Sequence, residues 1–208
     1  PSPAAAPGVG PVGAGYAAQP PSEVDVAIVG GGFTGLWTAY YLLGLDPSLS
    51  VVVLEAEHVG FGASGRNGGW VSALWPVSAS TLARESGEAA ARSMGAALRE
   101  TVLEVGRVAA DEGIDCDYRR GGVVLAARTP AQVERARGYA AAGAAWGDGT
   151  VWLDLPEARD RVRMSGLLGA TYNPNCARIH PRNLVDGLAA VVRSRGGVIV
   201  EGARVTSA

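Results

Sequence analysis

Hydrophobic positions along the chain fall into blocks whose spacing alternates between that of strands and that of helices. Val24-Asp25-Val26-Ala27-Ile28-Val29 is short, β-branched and followed by glycine, so it reads as a buried parallel strand. An apolar helix is predicted from about Phe33 to Gly44, where Gly44 and Pro47 stop it. Val51-Val52-Val53-Leu54 then forms a second buried strand that ends at Glu55. Strand, helix and strand in this order make one right-handed βαβ unit. The stretch from Val26 to Leu45 carries no charge, which raises the question of a membrane span. Gly30, Gly31, Gly32 and Gly35 crowd its first half, and a strand, a glycine turn and a helix explain those letters better.

Ala56 to Pro76 is glycine-rich and reads as a loop. Leu82 to about Gly113 is predicted as one long helix, with Met94, Leu98, Val102, Val105 and Ala109 as its core-facing stripe. A strand is expected over Gly121–Ala127, then a helix opened by Pro130 and running to about Ala145. Val151 to Arg163 resembles a short strand plus a turn of helix. Pro181 starts a helix through about Arg195, Gly196-Gly197 ends it, and Val198-Ile199-Val200 is a further strand. No internal repeat is visible.

Composition narrows the class. Hydrophobic residues are 48% of the 208, enough for a sizeable core. Twenty acids against 18 bases leave a net charge of -2, which gives no electrostatic footprint for nucleic acid or anionic lipid. All 18 bases are arginine, a bias that carries no functional reading. Residues 1–22 lack charge and periodicity and are expected to form a disordered leader without the basic start of a secretory signal. Cys116 and Cys176 are far apart, with no CxxC and no nearby histidine pair, so no metal site or redox dithiol is expected. Two small buried thiols in a reducing, cytoplasmic setting fit them better.

Two constellations carry chemistry. Gly30-Gly31-Gly32-Phe33-Thr34-Gly35 satisfies G-x-G-x-x-G directly after a strand and at the mouth of a helix. Gly30 allows the tight turn, Gly32 lets a pyrophosphate approach the backbone, and Gly35 lets helix and strand pack closely. The helix start supplies N–H groups and a positive dipole to phosphates. Glu55, at the end of the second strand, is placed to accept both ribose hydroxyls of an adenosine, and its charge disfavours a 2′-phosphate. The second constellation, from Gly60 to Gly69, is half glycine. Such a loop exposes backbone N–H groups, while Ser64, Arg66 and Asn67 offer a hydroxyl, a cation and an amide. Together they suit a planar, polar, anionic ligand lying beyond the pyrophosphate.

These residues carry a family resemblance. Asp25 to Leu36, Leu54-Glu55-Ala56-Glu57 and Gly62-Ala63-Ser64-Gly65-Arg66-Asn67-Gly68-Gly69 together resemble the D-amino-acid oxidase superfamily of FAD-dependent oxidoreductases. The GASGRNGG string is most similar to its γ-glutamylputrescine oxidoreductase-like branch. His180-Pro181 and the passage Gly197 to Val205 resemble the family segment that returns the chain to the FAD-binding sheet. The resemblance implies an α/β fold: a Rossmann-like FAD-binding βαβ domain with the start of an inserted mixed α+β substrate domain. It implies the divisions 23–80 for the βαβ unit and flavin loop, 81–170 for the inserted region, and 171–208 for the return.

What the resemblance implies for the site is specific. Gly30, Gly32 and Gly35 would carry the FAD pyrophosphate, with Phe33 and Thr34 at the same helix mouth, and Glu55 with Ala56 would lie at the adenosine ribose. Ala63, Ser64, Arg66, Asn67 and Gly68 would line the path to the isoalloxazine ring, and the backbone of Val205 would pair with adenine. The implied activity is oxidation of a C–N bond of a small amine or amino acid, with hydride transfer to the flavin. No catalytic residue is assigned, and the electron acceptor is open. Family members are about twice as long, so the chain is expected to be an N-terminal part, inactive on its own.

Single residues weigh less. His58 and His180 are expected to anchor a loop and brace a helix entry. Arg119-Arg120 are expected to be solvated, and Trp146 and Trp152 to pack. Asp111, Glu112, Asp115 and Asp117 lack a calcium-loop pattern. Two other readings stand beside the oxidoreductase: a flavin- or nucleotide-binding module without its own chemistry, and an NAD-linked dehydrogenase, against which the GASGRNGG loop argues.

Overall fold

The computed structural model describes residues 20–207, so nearly all of the expected leader lies outside the described residues. In chain order the elements are β1 (Val26–Val29), α1 (Phe33–Leu45), β2 (Val51–Leu54), a 3-10 turn (Ala63–Gly65), β3 (Trp70–Ser72), α2 (Ala79–Ser86) and α3 (Glu88–Asp111). There follow β4 (Arg119–Arg120), β5 (Val123–Ala127), α4 (Pro130–Trp146), β6 (Val151–Leu153), α5 (Leu155–Arg161), β7 (Gly169–Asn173), β8 (Cys176–Arg178), α6 (Pro181–Ser194) and β9 (Val198–Val200). The chain divides into two compact units, one holding residues up to Gly62 together with Leu188 onward, the other Ala63–Gly187.

The first unit is built on a parallel sheet of order β1-β2-β9, with Val26 opposite Val51 and Val53 opposite Ile199. Val51, Val52 and Val53 on the middle strand are buried, as a strand covered on both faces requires. Helix α1 buries Leu36, Ala39, Tyr40 and Leu43, one face of a 3.6-residue repeat. The turn between α6 and β9 is packed against this helix: a Cβ on Gly197 would lie 2.7 Å from Val192 and 2.9 Å from Leu43. Arg195 stacks its guanidinium 4.2 Å from the Tyr40 ring and donates to the Tyr40 carbonyl at 3.1 Å, fastening the same corner. The uncharged stretch from Val26 is thus strand, turn and a 13-residue helix, and among the described residues no helix is long and apolar enough to cross a membrane.

The second unit holds two antiparallel three-stranded sheets, β3-β8-β4 and β5-β7-β6. Leu153, Ala158, Leu167 and Ala170 form a small core between α5 and the second of them. Helix α4 opens with a capping box: Thr129 accepts from the Gln132 N–H while the Gln132 side chain takes the Thr129 N–H. Asp154 and Glu157 repeat the arrangement at α5.

Three expectations need correction. The single helix from Leu82 to Gly113 is two helices, because Gly87 sits at φ +90°, ends α2 and begins α3. Its stripe is buried only at Val102, Val105 and Ala109, while Met94 stays 37% exposed. The loop expected over Ala56–Pro76 contains strand β3, held by pairing of Trp70 with Arg178 and Ser72 with Cys176.

Candidate functional site

The glycine turn lies between β1 and α1. Gly30 has φ +102°, a conformation that L side chains rarely adopt, and its N–H donates to the Leu54 carbonyl at 2.8 Å, tying the turn to β2. Gly35 is required by contact: a Cβ there would fall on the Gly30 carbonyl oxygen and lie 3.1 Å from Ile28. Around Gly30 the space is open, with nothing within 4 Å of an added Cβ. Gly32 is the N-cap of α1, with no side-chain cap and no acid in the first turn. The first N–H groups of the helix therefore have no capping side chain, an arrangement suited to a bound anion.

Glu55 is turned into this site. Its Oε2 accepts the Gly31 N–H at 2.6 Å and its Oε1 accepts the Glu57 N–H at 2.9 Å. A carboxylate offers about four lone-pair positions, so two bonds leave room for two hydroxyl donors. The same residue, Gly31, is held at its other end, because the Gly60 N–H donates to the Gly31 carbonyl at 3.0 Å. The adjoining Val59 N–H donates to the Glu201 carboxylate at 2.7 Å. After β9 the chain folds back along this loop: Ala203 N–H bonds the Glu55 carbonyl, Gly202 N–H the Glu57 carbonyl, and Arg204 pairs with Glu57 at 2.8 Å. Val205 follows, 37% exposed and outside any strand.

Gly30, Gly32, Phe33, Thr34, Gly35, Glu55, Ala56 and Val205 all belong to the first unit, and the structure gathers the glycines and Glu55 around one turn. Glu57, Gly60 and Glu201 brace that turn. Glu57 and Glu201 lie in passages that carry the family resemblance, Glu201 as the acid that follows the last strand, and Gly60 opens the second constellation, but the sequence assigns them no role there.

Ala63, Ser64, Arg66, Asn67 and Gly68 lie in the second unit. Ala63 and Ser64 are in the 3-10 turn, and the Arg66 N–H closes it on the Ala63 carbonyl at 3.2 Å. Asn67 staples the loop: its amide donates to the Ala63 and Ser64 carbonyls at 3.2 and 3.0 Å, and its Oδ1 accepts the Gly69 N–H at 2.8 Å. Gly69 (φ +74°) has no room for a side chain against the Ile179 carbonyl, whereas an added Cβ on Gly62 or Gly68 meets nothing within 4 Å. The loop is tied at Gly69, whose carbonyl accepts the Ile179 N–H at 2.9 Å, and has space around Gly62 and Gly68.

The remaining candidate residues lie outside the glycine turn itself, and all but His58 belong to the second unit. His58 contacts the Val59 carbonyl at 3.0 Å and the Phe61 ring at 5.2 Å. His180 caps α6, its Nδ1 accepting the Asn183 N–H at 3.2 Å. Arg119 and Arg120 are exposed. Trp146 and Trp152 are half-buried, each under an arginine at 5.1 Å. In the acidic cluster Asp111 pairs with Arg107, and Asp117 with Arg178 and Arg119. Cys116 and Cys176 are buried thiols; burial pushes the Cys116 thiol up from its ordinary value, and Cys176 accepts the Trp70 indole N–H at 3.2 Å.

A glycine turn tied to its neighbouring strand by an acid is the arrangement of dinucleotide-binding βαβ units. The family model described as "FAD dependent oxidoreductase", DAO, matches residues 25–208, and the chain belongs to that family. It is 35% identical to the gamma-glutamylputrescine oxidoreductase of Escherichia coli over 191 residues, covering 88% of this chain and 42% of that protein. It is 26% identical to the L-2-hydroxyglutarate dehydrogenase of Escherichia coli, covering 88% of this chain and 40% of that one. Among solved structures it is similar to glycine oxidase from Geobacillus kaustophilus, with TM-score 0.63, 27% identity, and coverage of 86% of this chain and 46% of that one. The L-alpha-glycerophosphate oxidase of Mycoplasma pneumoniae, with FAD bound, shares the fold at TM-score 0.66 and 17% identity, over 88% of this chain and 46% of that one. The chain thus spans about two fifths of the length of the curated relatives it matches.

Proposed function

We propose that this chain is the FAD-binding part of an oxidoreductase that oxidises a C–N bond of a small amine or amino acid. The observation that carries the cofactor assignment is the Glu55 carboxylate seated on the Gly31 amide beside the uncapped start of α1. The donor set fits FAD. Open space at Gly30 and the helix N–H groups suit a diphosphate, and the two remaining acceptor positions of Glu55 suit the ribose hydroxyls; the family resemblance alone assigns adenine to the main chain at Val205. In the second unit Ala63, Ser64, Arg66 and Gly68 would lie along the path towards the flavin ring, with Asn67 holding the loop in shape rather than donating to the cofactor.

The flavin, when bound, supplies the two-electron chemistry, and the protein supplies position and electrostatics. Glu55 would orient the adenosine end, and the α1 dipole would balance phosphate charge. A C–N substrate is supported by the names of the relatives, an oxidoreductase of gamma-glutamylputrescine and a glycine oxidase. Family membership argues against the nicotinamide reading. A cytoplasmic setting, with Cys116 and Cys176 kept as thiols, belongs to the same proposal.

The test is to express the chain and titrate it with FAD and with NAD, and to offer gamma-glutamylputrescine or glycine anaerobically to a full-length protein carrying these residues while following flavin absorbance. Saturable FAD binding with weak NAD binding is expected. Equal affinity for the two would overturn the cofactor assignment. FAD binding by a full-length relative carrying these residues, with no bleaching by any amine, would favour the non-catalytic module instead.

A further inference from the structure

A second site lies wholly within the second unit. Helices α2, α3 and α4 and the chain after β3 enclose a cavity of about 270 Å³. That lies just under the ~300 Å³ at which small-molecule pockets commonly begin, room for one ring with a short polar arm. Its wall is apolar and aromatic, with Trp75, Met94, Leu98, Tyr139 and Trp146 among the lining residues. Trp75 is 48% exposed and Met94 37%, so the wall continues to the surface.

Polar groups on the wall are almost all spent. Asp148 accepts the Thr150 N–H through Oδ1 at 2.7 Å, and its carbonyl takes the Asn175 amide. Asn173 donates to the Thr150 hydroxyl at 2.8 Å and accepts the Asn175 N–H at 2.8 Å. Ser78 caps α2 through the Thr81 N–H. Burial pushes the Tyr139 phenol up from its ordinary value, with Asp148 adding to the shift, so the phenol stays neutral. Arg99 is different. It is half-buried on α3, it lines the cavity, and among the described residues its guanidinium makes no ion pair or hydrogen bond.

A half-buried cation on an apolar wall loses hydration without compensation unless an anion completes it. Its planar fork matches a carboxylate at two points, and the aromatic wall beside it matches a flat apolar body. From this pairing we infer that the cavity binds a small aryl carboxylate, with the carboxylate on Arg99 and the ring against Trp75 and Trp146. The inference does not use the FAD reading, and its probe is a simple acid.

The experiment is a titration of the chain with phenylacetate, read by tryptophan fluorescence and by calorimetry, with phenylacetamide as the uncharged comparison. The expected result is one saturable site. Affinity should fall about tenfold or more in Arg99→Gln, and by a similar factor when phenylacetamide replaces the acid. Arg99→Lys, which keeps the charge and loses the fork, should fall between. Because Arg99 holds no other group, the variants should keep the parent circular dichroism and melting temperature. Equal binding of acid and amide, an Arg99→Gln variant as tight as the parent, or no saturation by phenylacetate would each overturn the site. FAD titrations of the same variants should match the parent, so failure here is distinct from failure of the cofactor assignment.

Discussion

The Glu55 carboxylate accepts the N–H of Gly31 at 2.6 Å, so the acid at the end of one strand and the turn at the end of its neighbour form one unit. Charge-assisted bonds of this kind run about twice the strength of neutral ones. Glu55→Gln replaces one acceptor oxygen with a donor, which would face either the Gly31 or the Glu57 N–H. FAD affinity should fall by roughly ten- to a hundredfold, the equivalent of about 1.5–3 kcal/mol for a charged hydrogen bond. Unchanged flavin affinity would remove Glu55 from the ribose.

Glu201 provides a test of positioning rather than contact. It holds the Val59 N–H, and the next residue, Gly60, holds the Gly31 carbonyl. Glu201→Ala releases that brace while leaving every proposed FAD contact in place. Flavin affinity should drop several-fold and Glu201→Gln, which retains an acceptor, should recover most of it. Loss of melting temperature with flavin affinity unchanged would make Glu201 a stability residue only.

Glycines here differ by what surrounds them. Gly35→Ala drives a methyl into the Gly30 carbonyl, so helix and strand must part, at a cost of about 1–3 kcal/mol and with loss of flavin. Gly138 lies on the exposed side of α4 with nothing near an added Cβ. Gly138→Ala should therefore stabilise by about 0.5–1 kcal/mol through helix propensity alone. Thermal melts of the two variants should move in opposite directions.

How much of this was legible in sequence follows from which interactions are local. The βαβ unit was, because Val51–Val53, the glycine turn and Glu55 each declare their place in the fold through neighbours in the chain. So was α4, which Pro130 opens. Strands β7 and β8 were not. Gly169–Asn173 and Cys176–Arg178 show no alternation of apolar and polar residues, and they are strands because β5, β6, β3 and β4 pair with them from distant positions. Gly87 gives no break signal in sequence, because a single glycine inside a helical pattern is commonly tolerated; its φ of +90° is what divides the two helices. In the site, the bracing by Glu201 depends on a contact across 142 positions. Asn67 carried the right residue type for a ligand, yet its amide is drawn back onto its own turn.

Stability should decline on the alkaline side, and the direction follows from three groups. Burial raises the Cys116 thiol above its ordinary value of 9.0 and the Tyr118 and Tyr139 phenols above 10.0, with Cys116 and Tyr118 each adjoining the other. Tyr118 also donates its hydroxyl proton to the Val102 carbonyl at 2.7 Å, a bond that ionisation abolishes. For a raised group the folded state retains the proton over a range in which the unfolded chain has released it. The stabilisation is complete below the unfolded value and is lost as pH climbs through the folded one. Melting temperature should therefore be flat from pH 7 to about 8.5 and fall above about 9. Tyr118→Phe removes one titrating group together with its hydrogen bond, so it should lower the plateau and flatten the alkaline fall. An alkaline limb as steep in Tyr118→Phe as in the parent would place the pH sensitivity elsewhere.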